Sequence, residues 1–313
     1  MLSLLREIPG LLVIEQAPLT QYTRFGIGGP ARFLVDASTE TALIATIHAL
    51  TQNRESFAII GGGSNLVAAD NGYPGVIVRY THSDIQVDGT RVCAAAGVVL
   101  QNLVDLTIEK GLRGIDTMTG IPGWVGGAIY GNAGAYGHSV QECVESVRFF
   151  DGSTVQEAGN RECEFTYRES IFKRHKDWII LSCALRLEPG EHAALLADAT
   201  KIRQIRDAKY PPTMRCAGSI FKNLLFDRLP ESVQAHVPAH VVREGKVPSA
   251  YFLEQAGAKG MARGGVRVAG YHANLIYNEG NGTAEQVREL IGELKTRVRE
   301  QFGLELEEEV QYV

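Results

Sequence analysis

The sequence lacks the excess of positive charge that is typical of a nucleic-acid-binding protein. Its 31 Lys and Arg residues are outnumbered by 36 Asp and Glu, which gives a formal net charge of −5. Its basic cluster FKRHK, at 172–176, is short enough to be a solvated face. A protein that neutralises phosphates normally has a basic patch or stripe. We therefore expect no nucleic-acid partner.

Cysteine is also scarce. The five cysteines are odd in number, widely spaced and never arranged as C-x-x-C, so neither a disulfide framework nor a zinc knuckle is indicated. They are interpreted as reduced thiols, mostly in the core. The eight histidines form no metal-binding spacing, so no metal site is predicted. The five are Cys93, Cys143, Cys163, Cys183 and Cys216.

Long apolar runs are absent too. No stretch approaches the 18 residues of a membrane-spanning helix. The N-terminal segment carries Arg6 and Glu7 within its apolar pattern and has no basic leader followed by a continuous apolar region. We expect a cytoplasmic enzyme that does not associate with a membrane. No obligate protein partner is evident.

The 313 residues present are ordinary in composition, with 45% hydrophobic and 21% charged residues, and allow two domains. Short β-rich runs alternate with helical stretches, which indicates an α+β or α/β fold. We predict a domain boundary near residue 190, which divides the chain into 1–190, with a core of about 20–188, and 191–313. The predicted strands of the first part include 32–37, 57–60, 75–80 and 91–96, and its predicted helices lie near 39–52 and 99–110.

The last third has its own set of elements. Helices are predicted near 192–208, from Ser249, and from Thr283 to about Gln301, with strands in GGVRVAG, NLIYNEG and the final LELEEEVQYV. Thr283 followed three residues later by Gln286 is typical of a capping box.

Three consecutive glycines occur in GGGSN, residues 61–65, between two β-rich runs. A tight turn is the commoner explanation of such a motif. The alternative is a nest of main-chain N–H groups open to a phosphate, since no Cβ atoms stand in the way. A Rossmann site is not supported, because the formal match GIGGPA at 26–31 is followed by a β-rich run rather than a helix. No P-loop motif occurs.

A second glycine-rich stretch, GIPGWVGGAIYGNAGAYG, spans 120–137 and has seven glycines in eighteen residues, against an average share of about 7%. It also contains Ile121, Trp124, Val125, Ile129 and Tyr130, so it differs from a polar linker and favours burial. We predict one long, buried loop, whose bare main chain suits a large flat ligand. Together the two motifs favour a dinucleotide.

At these motifs the sequence resembles a known family. TRFGIGGPA, IIGGGSNLV, GIPGWVGGAIYGNAGAYG, FTYRESIFK, AGSIFKN and LELEEEV occur in the order found in the UDP-N-acetylenolpyruvoylglucosamine reductases, the MurB family. The similarity covers about Thr23 to Val310. The glycine motifs alone resemble those of the wider superfamily of FAD enzymes related to vanillyl-alcohol oxidase. The motifs YRES and GSIFKN make the resemblance specific to the reductases.

The resemblance implies an α+β fold, in which a two-part FAD-binding region of the vanillyl-alcohol-oxidase (PCMH) type precedes a smaller α+β substrate-binding domain. It implies non-covalent FAD, NADPH as hydride donor, and reduction of a UDP-sugar enolpyruvyl ether to UDP-N-acetylmuramate for peptidoglycan synthesis. Only 51 positions separate Arg168 from Ser219, which is similar to the shorter, second type of this family. The implied cofactor-binding residues are Gly61, Gly62, Gly63, Ser64, Asn65, Gly120, Ile121, Pro122, Gly126, Gly127 and Ile129.

Three residues match the catalytic positions of the family. Arg168, in TYRES, is expected to hold the substrate carboxylate, for which a guanidinium is suited. Ser219 is expected to donate a proton to the substrate carbon. The third is a glutamate near the C-terminus, where the chain has Glu308-Glu309-Val310 and lacks the usual proline. Alignment on the valine selects Glu309, although the register between the two glutamates stays open. A surface ion pair, a turn serine and a surface strand are the ordinary alternatives.

Tyr167, Lys209 and Asn223 match substrate-contacting positions, although each alone would more often be a surface residue. The stretch 224–248 is longer than the resemblance implies, and its prolines suggest a structured excursion or a lid. Two other functions stay open. A sugar or aldehyde oxidase could use the same FAD scaffold, and a nucleotide-binding module would lack catalysis.

Overall fold

The computed structural model describes all residues from Met1 to Val313 and divides into two compact units. The first unit comprises Met1–Ala17, Ala31–Gly62 and Pro74–Ala208. The second comprises Pro18–Pro30, Gly63–Tyr73 and Lys209–Val313. The chain thus passes from the first unit to the second within the run of three glycines.

The first unit contains two main sheets. Its four-stranded sheet has the strand order Leu11–Pro18, Pro30–Ala37, Tyr73–Tyr80 and Phe57–Ile59, and the last two strands are parallel. Its five-stranded antiparallel sheet has the order Val155–Gly159, Val144–Phe150, Ile179–Arg186, Arg91–Ala95 and Ile85–Asp88. Two short pairs, Leu112–Arg113 with Glu188–Pro189 and Gly134–Ala135 with His138–Ser139, complete the strands.

Helices cover these sheets because their apolar residues recur on one side. The α-helices are Leu2–Arg6, Glu40–Gln52, Leu100–Glu109, Val125–Tyr130, Ile171–Arg174 and His192–Lys209, and the 3₁₀ helices are Asp116–Met118 and Val140–Glu142. The side chain of Thr39 caps the helix that begins at Glu40. One hydrophobic core lies between these elements, with fully buried members that include Leu43, Val78 and Phe172.

The second unit is built on a four-stranded antiparallel sheet in the order Cys216–Ser219, His272–Asn278, Val266–Ala269 and Ala262–Arg263. There are two shorter strand pairs. Leu224–Leu225 pairs antiparallel with Lys246–Val247, and Leu66–Val67 pairs parallel with Gln311–Tyr312. Its α-helices are Glu231–Gln234, Ser249–Gln255 and Ala284–Phe302, and its 3₁₀ helices are Leu19–Gln21, Phe226–Arg228 and Ala239–Val241. They enclose a separate core that includes Phe221, Phe252 and Leu290.

The α+β prediction is confirmed, as are the strands and helices named from the sequence in the first part of the chain. The capping box of the last helix is present, with the Thr283 hydroxyl accepting from Gln286 N at 3.2 Å and Thr283 N donating to Gln286 Oε1 at 3.3 Å. The final predicted strand is a strand only at Gln311–Tyr312. The residues after the last helix are otherwise without regular secondary structure, apart from a single bridge that links Glu308 to Phe221.

The division at residue 190 stays a prediction about folding domains. In the structure the helix His192–Lys209 groups with the first unit as far as Ala208. Two N-terminal segments, Pro18–Pro30 and Gly63–Tyr73, group with the second unit. A linear boundary cannot describe such segments, because their packing partners are distant in sequence.

The segment 224–248 is structured, as its prolines suggested. The pair Leu224–Leu225 with Lys246–Val247 closes its base. Leu229 is buried, and Val233, Val237, Val241 and Val242 pack against the core of the second unit. The segment is therefore a structured part of the second unit, and its role as a lid stays a prediction.

Candidate active site

The turn GGGSN leaves three consecutive main-chain donors available. The N–H groups of Gly61, Gly62 and Gly63 donate no hydrogen bond within the protein. Unsatisfied amides in succession form a concave site for an anion. The turn therefore has the donor chemistry that a pyrophosphate requires.

Gly63 is also required by packing within the second unit. Its φ of +63° lies in the left-handed region, and a Cβ there would lie 1.9 Å from the carbonyl oxygen of Tyr22. Its own carbonyl accepts from Arg24 N at 3.0 Å. The bare backbone at this position is explained by the fold itself, without any ligand.

In the first unit, Gly62 lies against the indole of Trp124. A Cβ on Gly62 would lie 3.1 Å from Trp124 Cδ1 and Nε1, whereas one on Gly61 would lie at an ordinary 3.8 Å. The Arg79 guanidinium lies 5.3 Å from the centroid of the Trp124 ring and is bound to Asp36 through two hydrogen bonds of 2.6 and 2.7 Å. Trp124 therefore connects the two glycine-rich motifs within this unit.

The second glycine motif is partly helical, whereas the sequence indicated one long loop. Residues Val125–Tyr130 form a short helix after Trp124. Gly126 packs against the sheet, since a Cβ there would lie 2.9 Å from Ala96 Cβ. Gly127 is exposed and a Cβ there would meet nothing within 4 Å. Packing within the protein therefore accounts for glycine at position 126, whereas the space around Gly127 is open.

The start of this motif is fixed by a neighbouring helix. Gly120 has a φ of +75° and donates its N–H to Gln101 Oε1 at 2.6 Å. Ile121 is half-buried against the core of the first unit. Ile129 is completely buried in that core, so the structure gives its side chain a packing role, and its assignment to the cofactor stays a prediction.

Arg168 lies at the tip of a tight turn. Thr166 and Glu169 exchange two main-chain hydrogen bonds of 3.1 Å across Tyr167 and Arg168. Arg168 has a φ of +59°, which is uncommon for a residue with a side chain and is often found at functional sites. One of its terminal nitrogens donates to Gly134 O at 2.9 Å, and its own carbonyl accepts from Lys173 Nζ at 2.8 Å.

Two further hydrogen bonds hold this turn to the second glycine motif. The buried Ser170 hydroxyl donates to Tyr130 O at 2.7 Å, and Asn132 Nδ2 donates to Thr166 O at 2.7 Å. Burial raises the pKa of Tyr130, with a smaller contribution from the nearby Glu169 charge. The motifs YRES and GNAG, which are more than thirty residues apart in the sequence, are therefore connected in the first unit.

Ser219 lies in the second unit on a β-bulge. Between Cys216 and Ser219 the strand advances three residues while its partner advances two, from Tyr277 to Leu275. Gly218 has a φ of +78°, although a Cβ there would meet nothing within 4 Å, so backbone conformation is what requires glycine. Bulges redirect side chains beside active sites, and this one sets the direction of the Ser219 side chain.

The strand with Ser219 is tied to the end of the first glycine turn. Asn65 Nδ2 donates to Ala217 O at 2.8 Å, and Asn65 O accepts from Gln311 N at 2.9 Å. Asn65 thus has a structural role between two segments that are distant in sequence. Its predicted role at the cofactor stays a prediction.

The C-terminal glutamates pair with the residues that come directly after the strand of Ser219. Glu309 N donates to Ile220 O at 2.7 Å, and Lys222 N donates to Glu307 O at 2.9 Å. Glu307 pairs with Lys222, which is itself buried. The carboxylate of Glu308 is bound on one oxygen by Lys295 at 3.0 Å and on the other by the Tyr312 hydroxyl at 2.5 Å. Both oxygens of Glu308 therefore have structural partners, and the choice between Glu308 and Glu309 as the catalytic residue stays a prediction.

Among the expected substrate residues, Lys209 is exposed at the end of its helix, and its Nζ lies 5.2 Å from the centroid of the Tyr210 ring. Asn223 Oδ1 accepts from Ser249 N at 3.4 Å. Tyr167 shares the turn with Arg168, and the Arg168 guanidinium lies 5.3 Å from its ring centroid. Their substrate contacts stay predictions.

No sequence motif predicted a role for Tyr210. Its hydroxyl lies 3.0 Å from Ser219 Oγ, within hydrogen-bond distance. Its position in AKYPP, next to Lys209, was the only available signal, and a tyrosine before two prolines indicates no particular partner.

These features define a class of protein. The family profile described as an FAD binding domain matches residues 31–156, a range that contains the unsatisfied amides of the first turn and the open space at Gly127, and it makes the class a flavin-nucleotide-binding oxidoreductase. The profile described as the C-terminal domain of UDP-N-acetylenolpyruvoylglucosamine reductase matches residues 210–313. The chain belongs to the UDP-N-acetylenolpyruvoylglucosamine reductase family, whose curated members it matches over nearly its full length.

Three comparisons illustrate this relationship. The chain is 55% identical over 309 residues to the reductase of Solibacter usitatus, with 99% of each chain covered. It is 35% identical over 302 residues to that of Carboxydothermus hydrogenoformans, covering 96% of this chain and 93% of the relative. The crystal structure of the reductase from Thermus caldophilus superposes with a TM-score of 0.74 at 26% identity, covering 96% and 98% of the two chains.

The resemblance inferred from the sequence motifs is thereby confirmed, as is the prediction of an FAD-containing enzyme. No helix in the structure combines the length and apolar character needed to span a membrane.

Proposed function

We propose that this chain uses NADPH to reduce the enolpyruvyl ether of UDP-N-acetyl-3-O-(1-carboxyvinyl)glucosamine to UDP-N-acetylmuramate, in the cytoplasm, for peptidoglycan synthesis. The observation that carries the proposal is 55% identity over 309 residues to a curated reductase. Two proteins of this similarity that acted on different substrates would be expected to differ in their site residues. The motifs around Arg168 and Ser219 are intact in this chain.

The proposed cofactor is non-covalent FAD, which when bound takes hydride from NADPH and supplies it to the vinyl group of the substrate. The three amides of Gly61–Gly63 suit its pyrophosphate, since they have no acceptor within the protein. The exposed Gly127 leaves room for a ligand surface where any side chain would intrude. The other residues that we propose to bind the FAD are Ser64, Asn65, Gly120, Ile121, Pro122, Gly126 and Ile129.

Arg168 is the proposed anchor of the substrate carboxylate. Reduction places negative charge on the carbon next to that carboxylate, and a planar guanidinium matches both oxygens while it stabilises the charge. The turn supports this role, because Lys173 and the contact with Gly134 hold the main chain and one end of the guanidinium. Tyr167, on the same turn, is a proposed substrate contact.

Ser219 is the proposed proton donor. As hydride arrives, the Ser219 O–H bond breaks and a new C–H bond forms at the carbon next to the carboxylate. Such a carbon is a strong base, so a hydroxyl is acidic enough if its direction is held. The bulge at Gly218 supplies this constraint. Glu309 is the proposed partner that polarises the substrate, with Lys209 and Asn223 as contacts for its UDP part.

The test is a pair of half-reactions followed by flavin absorbance without oxygen. NADPH alone should bleach the purified yellow protein, and the enolpyruvyl substrate should then restore the colour. Parallel lines in double-reciprocal plots should follow, since both substrates react at one cofactor.

The oxidase alternative gives a different result. A sugar or aldehyde oxidase would be reduced by its sugar or aldehyde, and its flavin would be reoxidised mainly by oxygen. A protein that stays reduced when the enolpyruvyl substrate is added would refute the proposed function.

A further inference from the structure

Tyr210 is the only side chain whose described hydrogen bonds include the hydroxyl of Ser219. The two oxygens are 3.0 Å apart, and either could donate. Their chemistry differs, because a phenol has an ordinary pKa of about 10 and an aliphatic hydroxyl is a much weaker acid. As negative charge develops on Ser219 Oγ, Tyr210 is therefore the donor and Ser219 the acceptor.

The ring of Tyr210 is held in place. It packs against the small apolar cluster of Cys216, Ala269 and Leu275, together with Met214 and Tyr277. Cys216 is in the same strand as Ser219, so the ring and the hydroxyl that it contacts are fixed by one element.

Two neighbours limit the movement of the ring further. The His272 ring makes a T-shaped contact with it, at an interplanar angle of 84° and with the centroids 6.2 Å apart. The main chain just before it is held by the Tyr271 hydroxyl, which donates to Lys209 O at 3.0 Å. Because the ring has little freedom, its hydroxyl is directed at Ser219 before any substrate binds.

We propose that Tyr210 is a positioning residue for the reduction step, donating a hydrogen bond to Ser219 Oγ that directs the serine proton towards the substrate and stabilises the alkoxide left behind. This inference rests on the proposed function, since it requires Ser219 to be the proton donor. In this step the Ser219 O–H bond breaks, the substrate C–H bond forms, and solvent returns a proton to the serine oxygen.

If the hydrogen bond between Tyr210 and Ser219 had only a structural role, its removal would have different effects. Its loss would lower the stability of the protein slightly and leave the ratio of the rates of the two half-reactions unchanged. A positioning bond becomes charge-assisted as the serine loses its proton, so its loss slows that half-reaction alone.

The experiment is a double-mutant cycle with Tyr210→Phe and Ser219→Ala, read by stopped-flow flavin absorbance. We expect Tyr210→Phe to be reduced by NADPH at the wild-type rate and reoxidised by the enolpyruvyl substrate about 10- to 100-fold more slowly. In the Ser219→Ala background, Tyr210→Phe should cause no further loss, because Tyr210 acts only through the serine.

Tyr277→Phe is the matched control. It removes a phenol hydroxyl from the same apolar cluster and should leave both half-reactions unchanged. Flavin content and melting temperature verify that each variant is folded. Incorporation of a fluorotyrosine at 210 adds a readout that packing alone would not move, since a more acidic phenol should alter the reoxidation rate and its solvent isotope effect.

The outcomes separate the two claims. If Ser219→Ala is reoxidised normally, the donor assignment fails and the role of Tyr210 fails with it. If Ser219→Ala is slow but Tyr210→Phe is normal, only the Tyr210 inference is refuted. The same holds if Tyr210→Phe slows the alanine variant as much as it slows the wild type.

Discussion

Glu309 donates its main-chain N–H to the carbonyl of Ile220 at 2.7 Å, one residue beyond the proposed proton donor. This bond fixes the register of the C-terminal segment against the strand of Ser219. It places Glu309, rather than Glu308, opposite the residue that follows the serine. Which of the two glutamates in LELEEEV is catalytic stays a prediction.

Exchanging each glutamate for glutamine tests the register. We expect Glu309→Gln to slow reoxidation of the flavin by the enolpyruvyl substrate by about 10- to 100-fold, because a neutral amide loses the charge-assisted contact. Glu308→Gln should keep near-normal rates and unfold more easily, since it weakens the bonds to Lys295 and Tyr312. Stopped-flow rates and melting temperatures measure both effects, and the reverse ranking would move the assignment to Glu308.

Ser219→Ala should separate the two half-reactions. The change removes the hydroxyl without adding bulk or charge, so flavin reduction by NADPH should survive. Reoxidation by the substrate should fall by about 10²- to 10⁴-fold, the usual contribution of a positioned general acid. Ser219→Cys should recover part of the rate because a thiol still donates a proton. Normal anaerobic reoxidation of the alanine variant would rule out this serine as the donor.

Gly127→Ala tests the flavin site with little risk to the fold. A Cβ at Gly127 meets no protein atom within 4 Å, and alanine in a helix is favoured by roughly 0.5–1 kcal/mol over glycine. We expect an apoprotein of at least normal stability whose affinity for FAD falls by about tenfold or more, as measured by flavin fluorescence titration. Unchanged affinity would exclude Gly127 from the site.

Gly292→Ala is the matched control for this change, since Gly292 is also an exposed helical glycine with open space around its Cβ position. Gly63 is unsuitable for such a test, because a Cβ would collide with Tyr22 O at 1.9 Å and the fold itself would fail.

Arg168→Lys should keep the positive charge and lose the two-pronged geometry that a carboxylate needs. We expect kcat/KM for the enolpyruvyl substrate to fall about 10- to 100-fold, while flavin reduction by NADPH is unaffected. Arg174→Lys is the control, as Arg174 forms only a surface pair with Glu164. Equal kinetics for the two lysine variants would contradict the carboxylate role.

His272 should make the protein sensitive to acid. Burial, followed by the positive charges of Lys209 and Lys259, lowers the pKa of His272 to about 4. The unfolded chain therefore takes up this proton at a higher pH than the folded protein does. The free energy of unfolding should then fall as the pH drops from about 6.5 towards 4, by roughly 1–3 kcal/mol.

Denaturant titrations at pH 7 and 4.5 measure this effect. The loss on acidification should be smaller in His272→Gln than in the wild type, and it should be unchanged in a variant of the exposed His240, His240→Gln. An equal loss in wild type and His272→Gln would mean that the acid sensitivity comes from other groups.

Local patterns predicted much of this fold because they depend on neighbours in sequence. The capping box of Thr283 and Gln286 requires only residues three apart, and the helix from Ala284 begins where it predicts. The strands Pro30–Ala37 and Tyr73–Tyr80 follow from β-branched, apolar runs bounded by glycine and proline. The family, and with it the candidate residues Arg168, Ser219 and Glu309, also followed from motifs in the sequence.

Only the tertiary structure decided which of these residues meet, because contacts between distant segments leave no local pattern. The reason for glycine at position 63 is the Tyr22 carbonyl, 41 positions away, and the reason at 218 is a bulge against another strand. The partners of Glu308 come from a helix and the C-terminus. The contact of Tyr210 with Ser219 depends on packing that closes only when the sheet of the second unit has formed.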